Sequence, residues 1–195
     1  MDEIKELGLH LGWIYEVVIS TLVDGRPHSA PVGVWTDDYA TFHMHMFNES
    51  RTLGGILATG FLVANFPSDA GTFATVLLNP GSAAYEPAQI VAVPRLRDCP
   101  TAVELTLKEA TVGGDGTHIV ATALLVHRQG APRLFNRAEH LLLESLILAT
   151  RFAHLDRPRT IAALVENYRV VQKVAPGSTY ERAMTTLLHS LNLST

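Results

Sequence analysis

The residues best suited to chemistry lie in a polar turn, Ser50-Arg51-Thr52, which opens a short helix predicted to end at Gly60. The first N–H groups of a helix have no acceptor within the helix, and they lie at the positive end of its dipole. Such an N-terminus suits an anion such as phosphate, and the two hydroxyl groups and the guanidinium add donors. The turn therefore predicts a phosphate site, with an ordinary capped turn in solvent as the alternative.

A second candidate site lies upstream, in the run Ala30-Pro31-Val32-Gly33. A glycine inside a strand often marks the close approach of a ligand or of another backbone. The same glycine would also suit a bulge that bends a barrel strand. The run is therefore interpreted either as a ligand-facing strand or as a structural bend.

The surrounding pattern predicts a β-rich domain followed by helices. Short alternating or β-branched runs with glycine turns, such as residues 113–116, favour a barrel. From Asn136 the apolar period becomes helical, and Ser178 with Glu181 forms a capping box. Residues 69–80 fit either a helix or a strand. The predicted strands cover residues 13–23, 29–35, 39–47, 61–66, 88–93, 101–112 and 117–128, and the C-terminal helices cover 136–152, 160–173 and 178–191.

The order of these motifs resembles the FMN-binding split-barrel superfamily, in particular its flavin-reductase-like members. Residues 50–53, Ser-Arg-Thr-Leu, correspond to the family's polar turn. Residues 59–66, Thr-Gly-Phe-Leu-Val-Ala-Asn-Phe, are similar to its Thr-Gly step and the strand that ends in Val-x-Asn. Residues 21–25 and 29–33 resemble its first hairpin and its Ala-Pro strand.

The resemblance covers about residues 10–130 and implies a mainly β fold with an α extension. A Greek-key, FMN-binding split β-barrel is expected over residues 1–132, followed by a three-helix segment packed on it over residues 133–195. The run Asn136-Arg137-Ala138 is similar to an uncharacterised branch of the superfamily that carries such C-terminal helices.

The resemblance also implies a cofactor site. In the family the polar turn holds the FMN phosphate, which would place Ser50, Arg51 and Thr52 on the phosphate and Leu53 beside them in the cofactor site, while residues 30–33 would contact the isoalloxazine ring. A homodimer with flavin at the subunit interface is implied, with NAD(P)H or another electron donor. Three functions remain open: an FMN-dependent oxidoreductase of unknown substrate, a non-catalytic FMN carrier or sensor, and an interaction module without flavin.

A third candidate site is a charged line on the first C-terminal helix. Arg137, His140, Glu144 and Arg151 share roughly one helical face, and Asn136 stands just before them. Three interpretations stay open: a solvent face, an ion-pair network at a subunit interface, and a face toward substrate or flavin. Arg137 and Arg151 match basic positions of the helical branch, which is the basis of the third interpretation.

Histidine and cysteine offer weaker signals. His43 and His45 would point to one face of a strand, and with His28 they could share a metal, but no carboxylate has helpful spacing and no metal site is predicted. Contact of one histidine with flavin, or ordinary strand positions, are the alternatives. Cys99 is the only cysteine, so an internal disulfide is excluded.

Composition narrows the class of protein. The 195 residues are 47% hydrophobic and 17% charged, which allows a substantial core. The net charge of −4 is not the excess of positive charge that is typical of nucleic-acid-binding domains. No membrane span or signal peptide is visible, and the single cysteine fits a reducing compartment, so a cytoplasmic location is expected. P-loop, nucleophile-elbow and Rossmann glycine motifs do not occur in the sequence.

Overall fold

The structure is a computed structural model that describes residues 2–193, and it divides the chain into two compact units. The first unit runs up to residue 11 and then from residue 16 to 135, and the second contains residues 12–15 and the chain from residue 136 onward. The elements of the first unit are α1 (Asp2–Lys5), β1 (Tyr15–Val23), β2 (Arg26–Trp35), β3 (Thr41–Met46), α2 (Arg51–Thr59), β4 (Phe61–Phe66), α3 (Gly71–Leu78), β5 (Tyr85–Glu86), β6 (Arg95–Leu96), β7 (Thr101–Val112) and β8 (Thr117–Arg128).

Six of these strands form a closed barrel in the order β1-β2-β3-β8-β7-β4, and β5 pairs with β6 in a separate two-stranded sheet. The barrel closes where β1 pairs with β4, with Ile19 opposite Ala64. Strands β3 and β4 are consecutive in the chain but are not neighbours, and α2 connects them. The expected barrel is therefore confirmed, and α2 lies between two of its strands in sequence.

Alternation along the strands separates the interior from the exterior of the barrel. On β3, Phe42 and Met44 are fully buried, whereas His43 and His45, which alternate with them, are half-buried and exposed, respectively. Large apolar side chains from several strands meet them in the core, since burial of such side chains is the main driving force for folding. These fully buried residues include Ile19, Leu62, Phe66, Leu105 and Ile119.

Two residues fix the helix α2 and strand β4 beside β1. A Cβ atom on Gly55 would lie 2.6 Å from the carbonyl oxygen of Leu22, so only glycine allows this close approach of the helix. Asn65, the asparagine of the Val-x-Asn motif, is buried and donates to the carbonyl oxygen of Val18 at 2.9 Å. Its side-chain oxygen accepts the N–H of Leu96 at 2.8 Å. The motif therefore ties three segments together.

The strand predicted at residues 88–93 is wrong. This segment is a loop between the two-residue strands β5 and β6. The N–H groups of Gln89, Ile90 and Val91 donate to the carboxylate of Glu104 at 2.6–2.8 Å instead of to a neighbouring strand. Prolines at positions 87 and 94 also remove donors at both ends of the segment. Residues 69–80, which fitted either element, contain helix α3.

The second unit contains three helices, α4 (Arg137–Thr150), α5 (Arg157–Val174) and α6 (Thr179–Ser190). The predicted C-terminal helices are confirmed, but α5 begins three residues earlier than predicted because Asp156 caps it by accepting the N–H of Arg159. Half of the predicted capping box is present: the hydroxyl of Ser178 accepts the N–H of Glu181 at 3.0 Å, whereas the carboxylate of Glu181 accepts the N–H of Gly177 instead of that of Ser178. The core of this unit contains Ala138, Val171, Val174 and Met184.

Candidate functional site

The N-terminus of α2 is formed by the polar turn that the sequence singled out. Ser50 is the N-cap in an extended conformation, and its hydroxyl accepts the N–H of Leu53 at 3.4 Å. The N–H groups of Arg51 and Thr52 occupy the first two helical positions, where no intrahelical acceptor exists. The helix thus presents two N–H donors and the positive end of its dipole.

The side chain of Arg51 lines a cavity of about 530 Å³ beside this N-terminus. Arg26 and His28 from β2 line the same cavity, and Asp24 from the β1–β2 turn is its acidic member. The remaining lining residues carry no charge. We call this space the basic cavity, because three basic residues from two elements and one acidic residue line it.

His28 is held by the helix that carries Arg51. Its Nε2 lies 3.1 Å from the hydroxyl oxygen of Thr52, which is only 2% exposed. Burial, and then the positive charge of Arg51, lower the pKa of His28 below its ordinary value of 6.5. Thr52 thus points inward and positions the imidazole, while Leu53 lies in the barrel core. Of the three residues predicted at the phosphate, Ser50, Arg51 and Thr52, Arg51 is the one that lines the basic cavity.

The second predicted run, Ala30 to Gly33, lies in β2 and is half-buried. Burial does not alternate regularly along this part of β2, since Ser29 and Val34 are buried and the four residues between them are half-buried. Ser29 bonds to the hydroxyl of Tyr85 at 2.8 Å. The run follows His28 directly on β2 but does not itself line the basic cavity, and its contact with a flavin ring stays a prediction.

A second cavity of about 520 Å³ has mostly apolar walls. Pro27 lines both cavities, so the two spaces flank the start of β2. Leu22, Val91 and Val93 contribute to this apolar cavity, and the loop over residues 87–94 forms much of its wall. Glu104 anchors this loop through three backbone N–H groups, as described above.

Glu104 and His127 were missed by sequence reasoning. Glu104 is fully buried, and its carboxylate lies 2.5 Å from Nε2 of His127. Burial opposes ionisation, but the bonds from Gln89, His127, Val91 and Ile90 hold the pKa of Glu104 below its ordinary value. A lone carboxylate in the apolar run Ala102 to Leu105 was the available signal, since a buried charge needs partners.

The histidines do not assemble as the metal hypothesis required. His43 Nδ1 lies 3.3 Å from Nε2 of His118, whereas Nε2 of His45 lies 3.7 Å from the carboxylate of Asp115. His28 bonds to α2 as described. Across residues 2–193, no group of three or more potential metal-ligating side chains of histidine, cysteine, aspartate or glutamate is arranged around a common point.

The charged line on α4 lies on an exposed part of that helix. Arg137, His140, Glu144 and Arg151 are all exposed. Asn136, in contrast, is the buried N-cap: it accepts the N–H of Ala138 at 2.8 Å and donates to the carbonyl oxygens of Ile14 and Val174. Asn136 thus has a structural role within its unit, and an interface or substrate role of the charged line stays a prediction.

Cys99 is fully buried in the barrel unit. Burial and the negative charge of Asp98 raise the pKa of its thiol to about 12, although the charge of Arg95 opposes that shift. Because the thiolate is the reactive form, this side chain behaves as a small core residue.

The architecture is that of the FMN-binding split-barrel proteins, with a C-terminal helical unit. Residues 15–130, more than half of the chain, match the family model described as "Protein of unknown function (DUF447) N-terminal domain". The chain belongs to this family. None of the curated proteins matches it.

Solved structures of similar fold support the assignment. The FMN-bound protein MM1853 from Methanosarcina mazei, also of the DUF447 family, is 19% identical with a TM-score of 0.56, covering 96% of this chain and 99% of that chain. An FMN-binding protein from Thermus thermophilus with bound 1-cyclohex-2-enone is 19% identical with a TM-score of 0.54, covering 63% of this chain and 81% of that chain. The flavin reductase HpaC complexed with NADP+ is 16% identical with a TM-score of 0.55, covering 70% of this chain and 94% of that chain.

One further observation concerns membranes. No helix within residues 2–193 combines the length and the apolar character needed to cross a bilayer.

Proposed function

We propose that this protein binds FMN non-covalently, with the FMN phosphate in the basic cavity. The observation that carries the proposal is the meeting of Arg51, Arg26 and His28 at the N-terminus of α2. Two guanidinium groups and free helical N–H groups are the donors that a phosphate monoester prefers. The cavity volume of about 530 Å³ leaves room for a phosphate and part of its organic chain.

The neighbouring split-barrel proteins support FMN as the ligand. Two of them are described as FMN-bound or FMN-binding, and one of these belongs to the same family and spans nearly all of this chain. The residues present here fit the group, because the cations and N–H donors of the cavity complement its phosphate.

The isoalloxazine ring would lie along β2 at Ala30 to Gly33. This run follows His28 directly on β2, so a ligand anchored at the basic cavity would extend its chain along that strand. The half-exposed backbone of this segment would face the ring, and Ser50 would complete the phosphate site as the helix cap.

When bound, FMN supplies two-electron transfer, and the chain supplies binding, orientation and electrostatics. The reaction class we assign is therefore a flavin-dependent oxidoreductase, with NAD(P)H as electron donor. The NADP+ complex of HpaC supports a nicotinamide donor. We place the enzyme in the cytoplasm, where the buried thiol of Cys99 stays reduced.

We further assign the active form as a homodimer. Apolar side chains of α4 support this assignment, since Leu143 is 55% exposed and Leu146 is 43% exposed on that helix. The charged line of Arg137, His140, Glu144 and Arg151 would flank the same interface or face the substrate.

The test of the redox function is an assay of NADH or NADPH oxidation with the protein and FMN under air. The proposal predicts oxidation that depends on the protein, rises with FMN and is lower in Arg51→Ala at subsaturating FMN. The matched control is Arg169→Ala, because Arg169 is exposed on α5 and paired with Glu166. FMN binding without any oxidation of either nucleotide would contradict the enzymatic role and favour an electron carrier.

A further inference from the structure

His28 differs from the two arginines of the basic cavity because its charge can change near neutral pH. Its ring lines the cavity, and its Nε2 is held at 3.1 Å from the hydroxyl of Thr52. Thr52 is buried in the first turn of α2, so the imidazole cannot swing away without breaking this contact. The cavity thus contains a fixed, titratable side chain.

Three charged residues line the basic cavity together with His28, and they come from three segments. Arg51 lies at the start of α2, Arg26 lies two residues earlier on β2, and Asp24 lies in the β1–β2 turn. The residues that the segment after α3 contributes, Pro80 and Gly81, carry no charge. The surroundings of His28 therefore contain two positive charges and one negative charge.

The environment of His28 disfavours the imidazolium in the protein alone. Burial and the charge of Arg51 lower the pKa of His28, so the ring is neutral at neutral pH. A phosphate monoester has a second pKa of about 6 and is mostly a dianion at about pH 7. A dianion in the cavity would reverse the local charge and favour protonation of the ring.

We propose that His28 is a third cationic ligand of a terminal phosphate monoester, and that it takes up one proton from solvent as the monoester binds. This inference rests on the proposed function in taking FMN as the ligand. No covalent bond forms or breaks: one ring nitrogen of His28 accepts the proton, and the resulting imidazolium faces the dianion. Protonation of His28 on binding therefore selects FMN over riboflavin, which lacks the phosphate. It also selects FMN over FAD, whose phosphodiester groups have no second ionisation.

The test is calorimetric titration of the full chain at about pH 7.5, a pH above the phosphate pKa of about 6. Two phosphate-free buffers of different ionisation enthalpy are used, with FMN, riboflavin and FAD as ligands. The proposal predicts net uptake of up to one proton with FMN and none with riboflavin. Above this pH, FMN affinity should fall by up to about tenfold per pH unit. Binding takes up a proton, and the proton concentration falls tenfold with each pH unit.

The informative variant is His28→Gln, which retains a donor near Thr52 but cannot gain a proton. The matched control is His189→Gln, because His189 is exposed on α6. Proton uptake should vanish in the first variant and persist in the second. Phosphorus NMR of the wild-type complex should show the bound phosphate as a dianion, which places the proton on the protein.

The outcomes separate this inference from the proposed function. FMN binding without proton uptake, or uptake that survives in His28→Gln, overturns the role of His28 while the flavin function stands. If FMN does not bind, inorganic phosphate is the second probe, with wild type and His28→Gln compared. Phosphate binding with proton uptake that vanishes in His28→Gln then supports His28 and overturns the flavin function. Phosphate binding whose proton uptake is unchanged in His28→Gln, or absence of both kinds of binding, overturns both.

Discussion

The carboxylate of Glu104 lies 2.5 Å from the imidazole of His127, and both side chains are buried between β7 and β8. The same carboxylate accepts three consecutive N–H groups from the loop that forms the wall of the apolar cavity. A buried charge with four donors is strongly fixed, since each bond to a charged group contributes about 1.5–3 kcal/mol. Glu104 is therefore the anchor of that loop.

We expect Glu104→Gln to lower the free energy of unfolding by about 1.5–3 kcal/mol at neutral pH, because an amide cannot accept all four bonds. Urea denaturation followed by circular dichroism measures this change. The matched control is Glu109→Gln on the same strand, where the side chain is exposed. Equal effects of the two substitutions would contradict the anchoring role.

The same pair predicts a pH dependence of stability. The pKa of Glu104 in the folded protein lies below its ordinary value of 4.5, so its ionisation stabilises the fold fully above that value. The contribution is lost as the pH falls through the lower, folded-state pKa. The stability difference between wild type and Glu104→Gln should therefore be constant near neutral pH and shrink below pH 4.5. A difference that grows on acidification would refute this assignment.

Gly55 should tolerate no side chain. A Cβ atom there would lie 2.6 Å from the carbonyl oxygen of Leu22, and we expect Gly55→Ala to destabilise the protein by about 1–3 kcal/mol. Gly54, its neighbour in α2, has open space around a built Cβ. Gly54→Ala should be neutral or stabilise by up to about 1 kcal/mol through helix propensity. Similar denaturation midpoints for the two variants would mean that α2 does not approach β1 so closely.

Arg51→Ala should weaken FMN binding by about 1.5–3 kcal/mol, the range for a hydrogen bond to a charged group. Titration of FMN fluorescence measures the affinity, with Arg169→Ala as the control outside the basic cavity. Riboflavin affinity should be unaffected by either substitution, since riboflavin lacks the phosphate. Unchanged FMN affinity in Arg51→Ala would rule out the phosphate assignment.

Cys99 should be inert in the native protein. Its thiol is buried and has a pKa raised to about 12, so almost no thiolate exists at about pH 8. A colorimetric thiol reagent should react only slowly until denaturant is added, and the single cysteine makes the signal unambiguous. Fast reaction of the folded protein would show that the barrel opens around this residue.

The sequence predicted most of the barrel because its strands carry strong local signals. β4, β7 and β8 begin and end at the predicted residues, since β-branched runs there stop at glycine or polar turns. The helix N-terminus at Ser50 was likewise predictable, because serine is a preferred N-cap residue. Residues 88–93 misled the prediction, because an apolar run indicates burial but not the partner that takes its N–H groups.

The basic cavity was only half predictable. Arg51 lies in the polar turn, whereas Arg26 and His28 join it because β2 packs beside α2 in the folded barrel. Sequence spacing does not predict that residues separated by a strand and a loop will line the same cavity. The approach of β2 to Arg51 is therefore a property of the tertiary structure. The inward turn of Thr52 toward His28 has the same origin.

The central claim is that the basic cavity retains FMN through its phosphate. The most direct measurement is a visible absorption spectrum of the purified chain after incubation with FMN and desalting, beside a parallel sample incubated with riboflavin. Our account predicts flavin absorption bands that remain with FMN and are lost with riboflavin. A spectrum without flavin bands after FMN reconstitution would contradict it.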